Sequence, residues 1–423
     1  MSVLRGSLIN LATRILAVAL GLGITLYTAR LGKSQQGAFA LFTAVEAVLL
    51  AVTSGFGVAL ARRVSHHGER PSGLAGASVA ACVVLGILSG VGLVAASLWG
   101  GDGYRDLWLL ALAGPLLFIT PNLSGLWLGG GHMGALARVT LGAPVFTLLA
   151  LLLLALAGAA PALRWVLLAW VVARMVVAAG ALLAAWRGGQ VGAPDLAALK
   201  AERGFIVVIA MTNLVGLLNY KADLFLVEHF LGLAETGVYS IAVLIAELLW
   251  LVSSSVTTAA YARIGAPDAD AARRITLRAV HASVLVLVAL SPLLWLCAAM
   301  AVPLLLGPEY TPALLALAWL LPGVALYGAA SALSAWFTNH AGRPRVPAQL
   351  ATLSLVINVV VSLVAIPRIG MLGGALATSL SYAVTVAIAG LWFMRASGTS
   401  AAELLWPDWR ALWATGRRVR RPG

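Results

Sequence analysis

The stretch NLVGLLNYKADLFLVEHFLGLAETGVYSIAVLIAELLWLVSSSVTTAAYAR, from Asn213 to Arg263, decides how the chain is organised. It reads as two long apolar segments joined by a polar turn at Gly232 to Gly237. Lys221, Asp223 and Glu247 are set into hydrophobic surroundings where a charge is expensive. A second copy lies two hundred positions earlier: Leu31-Gly32 corresponds to Leu231-Gly232, Gly37 to Gly237, Phe39 to Tyr239, Ser54 to Ser254 and Arg63 to Arg263. The chain reads as a duplicated membrane protein.

Composition agrees. Of 423 residues, 61% are hydrophobic and 10% charged, and the mean hydropathy is +0.98, outside the range of soluble domains. Apolar runs follow one another with short polar breaks, and a helix needs about 20 such residues to cross the hydrocarbon core. Twelve helices are predicted, at 6–29, 36–60, 74–99, 107–129, 136–158, 163–186, 204–230, 236–260, 276–303, 312–339, 346–367 and 371–394. The first reads as a retained helix, not a cleaved leader. Cys82 and Cys297 fall inside apolar runs, which supports neither a disulfide framework nor a metal cluster. With the N-terminus inside, 20 Lys or Arg lie on the cytoplasmic loops and tail. Five (Arg30, Lys33, Arg105, Arg164 and Arg368) lie outside, and Arg14, Arg174 and Lys221 remain in the slab, which accounts for all 28. That bias places both termini in the cytoplasm.

The expected organisation is an N-terminal six-helix bundle (1–186), a cytoplasmic linker (187–203), a C-terminal six-helix bundle (204–396) and an interfacial basic tail (397–423). An even number of helices per half makes the repeats parallel, with a substrate site expected between them.

Three groups of residues carry a family resemblance. The first is Asn10-x3-Arg14 with Leu26-Tyr27-x-Ala29-Arg30-Leu31-Gly32 and Gly37-x-Phe39. The second is Lys221-x-Asp223 with Leu231-Gly232, Glu235-x-Gly237 and Tyr239-Ser240. The third is Gly307-x2-Tyr310, Leu321-Pro322-Gly323, Ala341-Gly342-Arg343, Asn358 and Gly370-x2-Gly373-Gly374-Ala375. Over nearly its whole length the chain resembles a polysaccharide flippase of the multidrug/oligosaccharidyl-lipid/polysaccharide exporter superfamily. The resemblance implies an all-α fold related to multidrug and toxic compound extrusion proteins, a V-shaped pair of bundles. It also implies alternating access that moves an undecaprenyl-diphosphate-linked oligosaccharide of O-antigen or exopolysaccharide type to the outer leaflet. The chain departs from peptidoglycan-precursor flippases by lacking two further C-terminal helices.

Ionisable residues in a membrane usually face the bundle interior, a partner or water. Arg14 lies roughly 12 Å into the first helix, on a face with Asn10, Gly21, Thr25 and Thr28. Its guanidinium suits a diphosphate, and it also suits a structural pair with a polar neighbour. In the seventh helix Asn213, Gly216, Tyr220 and Asp223 share a face. Lys221 reads either as a cationic substrate contact, with Asp223 as its gate or ion partner, or as a side chain snorkelling outward. Arg174 reads as a substrate contact or a paired structural charge. Glu46 and Glu247 are each a coupling group or the neutralising partner of a buried Arg. Asn358, with Ser354 and Ser362, offers hydroxyl or amide contacts to sugars or simply packs. Pro115, Pro322 and Gly323 interrupt corresponding helices and mark expected hinges.

Little points to an enzyme. Asp268-Ala269-Asp270 has the spacing of a metal-nucleotide motif but sits in a short loop, the histidines are dispersed, and no phosphate-binding Walker loop exists. The expectation is a flippase of the bacterial inner membrane with no cofactor and no metal, driven by protons, sodium or the membrane potential. Its partners would be the lipid-linked oligosaccharide, membrane lipids and other polysaccharide assembly proteins, with no nucleic acid. The alternative is a cation-coupled exporter of small amphipathic molecules. Cavity sign separates the two, since Arg14, Arg174 and Lys221 tilt the lumen basic where a drug-cation exporter should be acidic.

Overall fold

A computed structural model describes residues 3–265 and 268–406. Its main elements are α1 (Val3–Ala29), α2 (Lys33–His67), α3 (Ser72–Trp99), α4 (Leu107–Leu112), α5 (Gly114–Leu117), α6 (Ile119–Gly129), α7 (Met133–Leu156) and α8 (Leu163–Arg187). These are followed by α9 (Leu196–Leu231), α10 (Leu233–Ile264), α11 (Ala269–Leu305), α12 (Pro312–Ala335), α13 (Arg345–Ile369), α14 (Met371–Ser397) and α15 (Ala401–Leu405). Among the described residues, eleven helices are long and apolar enough to cross a membrane, or twelve when the bent run from Asp102 to Gly129 counts as one span.

That bent run turns by 72° between Leu112 and Gly114. Pro115 has no N–H to donate, and the span breaks into α4, α5 and α6 around it. Elsewhere the turns are tighter than expected. The polar turn of the opening stretch is Gly232 alone, at φ +80°, and Glu235 and Thr236 already belong to α10. A side chain at that φ would clash with its own backbone, so glycine is required there. Gly32, at φ +121°, makes the matching turn between α1 and α2.

The chain forms two compact units, Met1–Leu217 and Leu218–Gly423, and the division falls inside α9. The 187–203 stretch, expected as a linker, is held against the first unit. Gly192 N donates to Ser72 O and Asp195 N to Gly73 O, each at 3.0 Å, and α9 then begins at Leu196. The upstream part of α9 lies on α2. A Cβ on Gly55 would stand 2.0 Å from the Ile206 carbonyl oxygen, and the Arg63 guanidinium pairs with Glu202 at 2.7 Å.

Lipid is as apolar as a leucine core, so helices in a bilayer gain mainly from close packing and hydrogen bonds. In the first unit α2 meets α6 at Gly57 and Gly125, and α3 meets the broken span at Gly86 and Gly114. Phe39, Phe42, Phe118 and Leu110 fill the core around them. In the second unit Trp336, Phe337 and Phe393 pack with Val280 and Leu333. The Trp336–His340 turn that follows α12 is π-helical.

α15 opens with a capping box between Ser400 and Glu403. Arg273 donates to Glu403 at 3.1 Å, His281 Nε2 donates to the Leu404 carbonyl at 2.8 Å, and Leu404 packs on the second unit's core. The basic tail from residue 407 onward lies outside the described residues.

A Cβ on Gly125 would sit 1.9 Å from the Gly57 carbonyl oxygen, whereas one on Gly21 meets nothing within 4 Å. Gly125→Ala should therefore cost about 1–3 kcal/mol and Gly21→Ala less than about 0.5, as read by thermal unfolding in detergent. The Ser400 backbone N–H, and then the Arg273 guanidinium, hold the Glu403 carboxyl below its ordinary range. The stabilisation this gives α15 is present above the ordinary carboxylate range and is lost as pH falls through the lowered value. Hydrogen exchange of residues 400–406, corrected for intrinsic rates, should accelerate in acid, and Glu403→Gln should remove that dependence.

Candidate ion and substrate sites in the two units

In the first unit, α8 presents Trp170 and Arg174 one turn apart to Glu46 on α2. Glu46 is 2% exposed. The Trp170 indole N–H donates to one carboxylate oxygen at 2.8 Å, and Arg174 Nε pairs with the other. The guanidinium also lies over the Trp170 ring, 3.8 Å from its centroid, and Phe39 packs edge-on to that ring. One acid, one base and one indole thus neutralise and orient each other beside a cavity of about 240 Å³, which Thr120, Ser124 and Thr140 also line.

α1 is less uniform than its polar stripe suggests. Asn10 and Arg14 are exposed and make no hydrogen bond or ion pair among the described residues. Thr28 is buried and donates to Gln36 Oε1 at 2.5 Å. The stripe therefore spans two environments, because Ile24, Thr28 and Ala29 are buried while Asn10 and Arg14 are exposed. Asn213 donates to Ser54 at 2.8 Å within the first unit, so it does not share an environment with Asp223.

In the second unit, Lys221 Nζ donates to Glu247 Oε1 at 2.8 Å, with both side chains about three-quarters buried. Asp223 is not its partner: positions i and i+2 lie about 200° apart around a helix. Asp223, 4% exposed, turns instead toward α10 and α14. One oxygen accepts from the Tyr239 hydroxyl at 2.5 Å and the Thr378 hydroxyl at 3.0 Å, and the other accepts from Leu224 N at 2.9 Å. Asn358 in turn donates to Thr378 at 2.9 Å. No ion pair reaches Asp223 among the described residues. Gly374 leaves room for the Tyr239 hydroxyl, which a Cβ there would meet at 3.2 Å. A buried carboxylate held by neutral hydroxyls is a natural seat for a proton or a small cation, because those donors can turn without breaking an ion pair.

Beside this network runs a column of rings. Tyr220 lies 4.3 Å from Trp250 and 6.4 Å from Tyr327, and Tyr327 stacks on Tyr382 at 4.2 Å. Of these the sequence reading singled out Tyr220 as a site residue. Trp170, Tyr239 and Thr378 also escaped it as site residues. Trp170 had a usable signal, its i, i+4 spacing to Arg174. Thr378 had none, since it lies 155 positions from Asp223.

The proline sites differ from each other. Pro115 sits in the broken span, whereas Pro322 lies within continuous α12. There the Ser379 hydroxyl accepts from Gly323 N at 3.3 Å and donates to Trp319 O at 2.5 Å, bridging two groups that an undisturbed helix would pair directly. Asp268 caps α11, accepting from Asp270 N at 3.0 Å, which gives the Asp-x-Asp motif a structural role. Among the described residues no three His, Cys, Asp or Glu side chains come together as a metal site.

No protein-family model and no curated protein matches the sequence. Solved structures do. The inward-facing conformation of a multidrug resistance MATE family transporter of the MOP superfamily aligns over 90% of this chain and 94% of its own, at 16% identity and a TM-score of 0.75. The outward-facing conformation of a multidrug resistance MATE family transporter aligns over 93% and 95%, at 16% and 0.67. A MOP superfamily transporter from Pyrococcus furiosus, whose binding pocket is described as having reverse polarity, aligns over 95% of each chain at 16% and 0.68. The chain has the fold of these transporters.

Removing one member of the Lys221–Glu247 pair leaves the other charge uncompensated. Glu247→Gln alone should destabilise by about 1–3 kcal/mol, and adding Lys221→Gln should recover most of that loss, as measured by a double-mutant cycle on thermal unfolding.

Proposed function

We propose that this chain is a cation-coupled secondary transporter, not an enzyme, that exports amphipathic molecules across the bacterial cytoplasmic membrane by alternating access. Both termini lie in the cytoplasm in this reading. The observation that carries it is Asp223, a buried carboxylate with two hydroxyl donors and no ion pair among the described residues. The fold shared with multidrug transporters supports the reading. So does the charge ledger: Arg174 and Lys221, which made the lumen look basic, are each neutralised by a carboxylate of their own unit. In this scheme Asp223 takes up a proton or cation in one facing state and releases it in the other. Only such a difference in affinity between states lets a gradient drive the cycle.

A second reading keeps the lipid-linked oligosaccharide as cargo, with membrane lipids and polysaccharide assembly proteins as partners. It rests on Arg14, exposed on α1 with no counter-charge among the described residues and suited to a diphosphate. The Pyrococcus furiosus transporter, whose binding pocket is described as having reverse polarity with a different function suggested, shares this fold.

Proteoliposome transport tests both readings. A lipophilic cation should be carried when a proton or sodium gradient is imposed, and Asp223→Asn should lower that flux about a hundredfold while changing binding less than about threefold. Gradient-driven flux unchanged in Asp223→Asn would remove Asp223 from the mechanism. Transport of a short-chain polyprenyl-diphosphate oligosaccharide, lost in Arg14→Ala, would establish the second reading in place of the first.

A further inference from the structure

The cavity beside Arg174 lies wholly within the first unit, and the coupling scheme at Asp223 makes no use of it. A guanidinium has five N–H donors in a planar fork. Glu46 takes the one on Nε, and Nη1 is buried with no partner among the described residues. The rest of the wall adds donors and no second acid. Thr120 comes from α6 and Thr140 from α7, and neither hydroxyl makes a hydrogen bond among the described residues. The remaining lining residues, from α2, α5, α6, α7 and α8, carry no titratable group. The space of about 240 Å³ accommodates a tetrahedral oxyanion with several waters, at about 30 Å³ for each water.

Glu46 occupies the position an anion would want. It presents two oxygens to one face of this site, bonded to Arg174 and to the Trp170 indole N–H. We propose that this cavity is a binding site for a compact oxyanion, a sulfate- or phosphate-type group, held by Arg174 with the Thr120 and Thr140 hydroxyls, and that Glu46 is a resident competitor for the same guanidinium. The stacked Trp170 ring keeps the guanidinium in place when Glu46 yields it, because the cation over its face is attracted whether or not the carboxylate is bonded. The group can arrive free in solution or at the head of an amphipathic molecule. The chemistry at Arg174 is the same in either case.

The test is calorimetric binding to the full chain in nanodiscs, with inorganic sulfate and octyl sulfate as probes. Neither probe changes charge near neutral pH. Glu46→Gln removes the competitor's charge and keeps its shape, so it should tighten binding about tenfold, the scale of one charge-assisted hydrogen bond. The double variant Glu46→Gln with Arg174→Gln, which leaves no charge unpaired, should lose binding, and Arg174→Lys should keep part of it. If both probes bind in this pattern, the site takes a free oxyanion; if only octyl sulfate does, it takes one carried on an apolar chain. Binding that is indifferent to both substitutions, or weakened by Glu46→Gln in a variant whose melting temperature is unchanged, overturns the proposal. The inference goes beyond the transport reading. Because binding is measured without a gradient, its failure leaves the Asp223 test untouched.

Discussion

A charge placed in hydrocarbon costs several kcal/mol unless something meets it, and that constraint arranges the polar interior of this protein. The two units answer it in the same way with different helices. In the first, a glutamate on α2 meets an arginine on α8; in the second, a glutamate on α10 meets a lysine on α9. Glu46 and Glu247 are near-counterparts in the repeat, but their partners are not. The offset of two hundred sets Ala246 against Glu46 and Ala47 against Glu247, so each half places its own acid and its own base.

Asp223 answers the same constraint without a base. Tyr239 and Thr378 supply hydroxyls, Leu224 supplies a backbone N–H, and Asn358 holds Thr378 from behind. An ion pair ties a carboxylate to one charged partner, whereas hydroxyl donors can rotate away from it or turn a lone pair toward a bound cation. The proposed coupling role of Asp223 rests on this difference. Arg14 is the opposite exception, a cation exposed on α1 with no counter-charge among the described residues.

Backbone contact does the packing that hydrophobicity cannot do inside a bilayer. Gly55, Gly57, Gly86, Gly114 and Gly125 let carbonyl oxygens come where a single methyl group would not fit. The first unit thereby gains a tight seat for the upstream part of α9, and its fourth span bends by 72° beside Pro115. The second unit instead threads a serine hydroxyl into the ladder of α12 at Pro322. These are two solutions to the same proline, one a break and one a patch.

The sequence by itself determined the class of fold, the number of spans and most helix limits, because runs of about 20 apolar residues bounded by glycine and charge have one stable answer in lipid. It also identified Arg174, Lys221, Asp223, Glu46 and Glu247 as residues needing a physical reason. Tertiary structure alone decided which partner each one has. Trp170 and Arg174 meet Glu46 from more than a hundred positions away, and Thr378 meets Asp223 from 155. Local spacing carries no information about such contacts, since helices far apart in sequence become neighbours only when the bundle packs. The polar stripe of α1 and the stretch at 187–203 show the same limit: an exposed face and a docked one have the same sequence pattern until a neighbouring helix covers one of them.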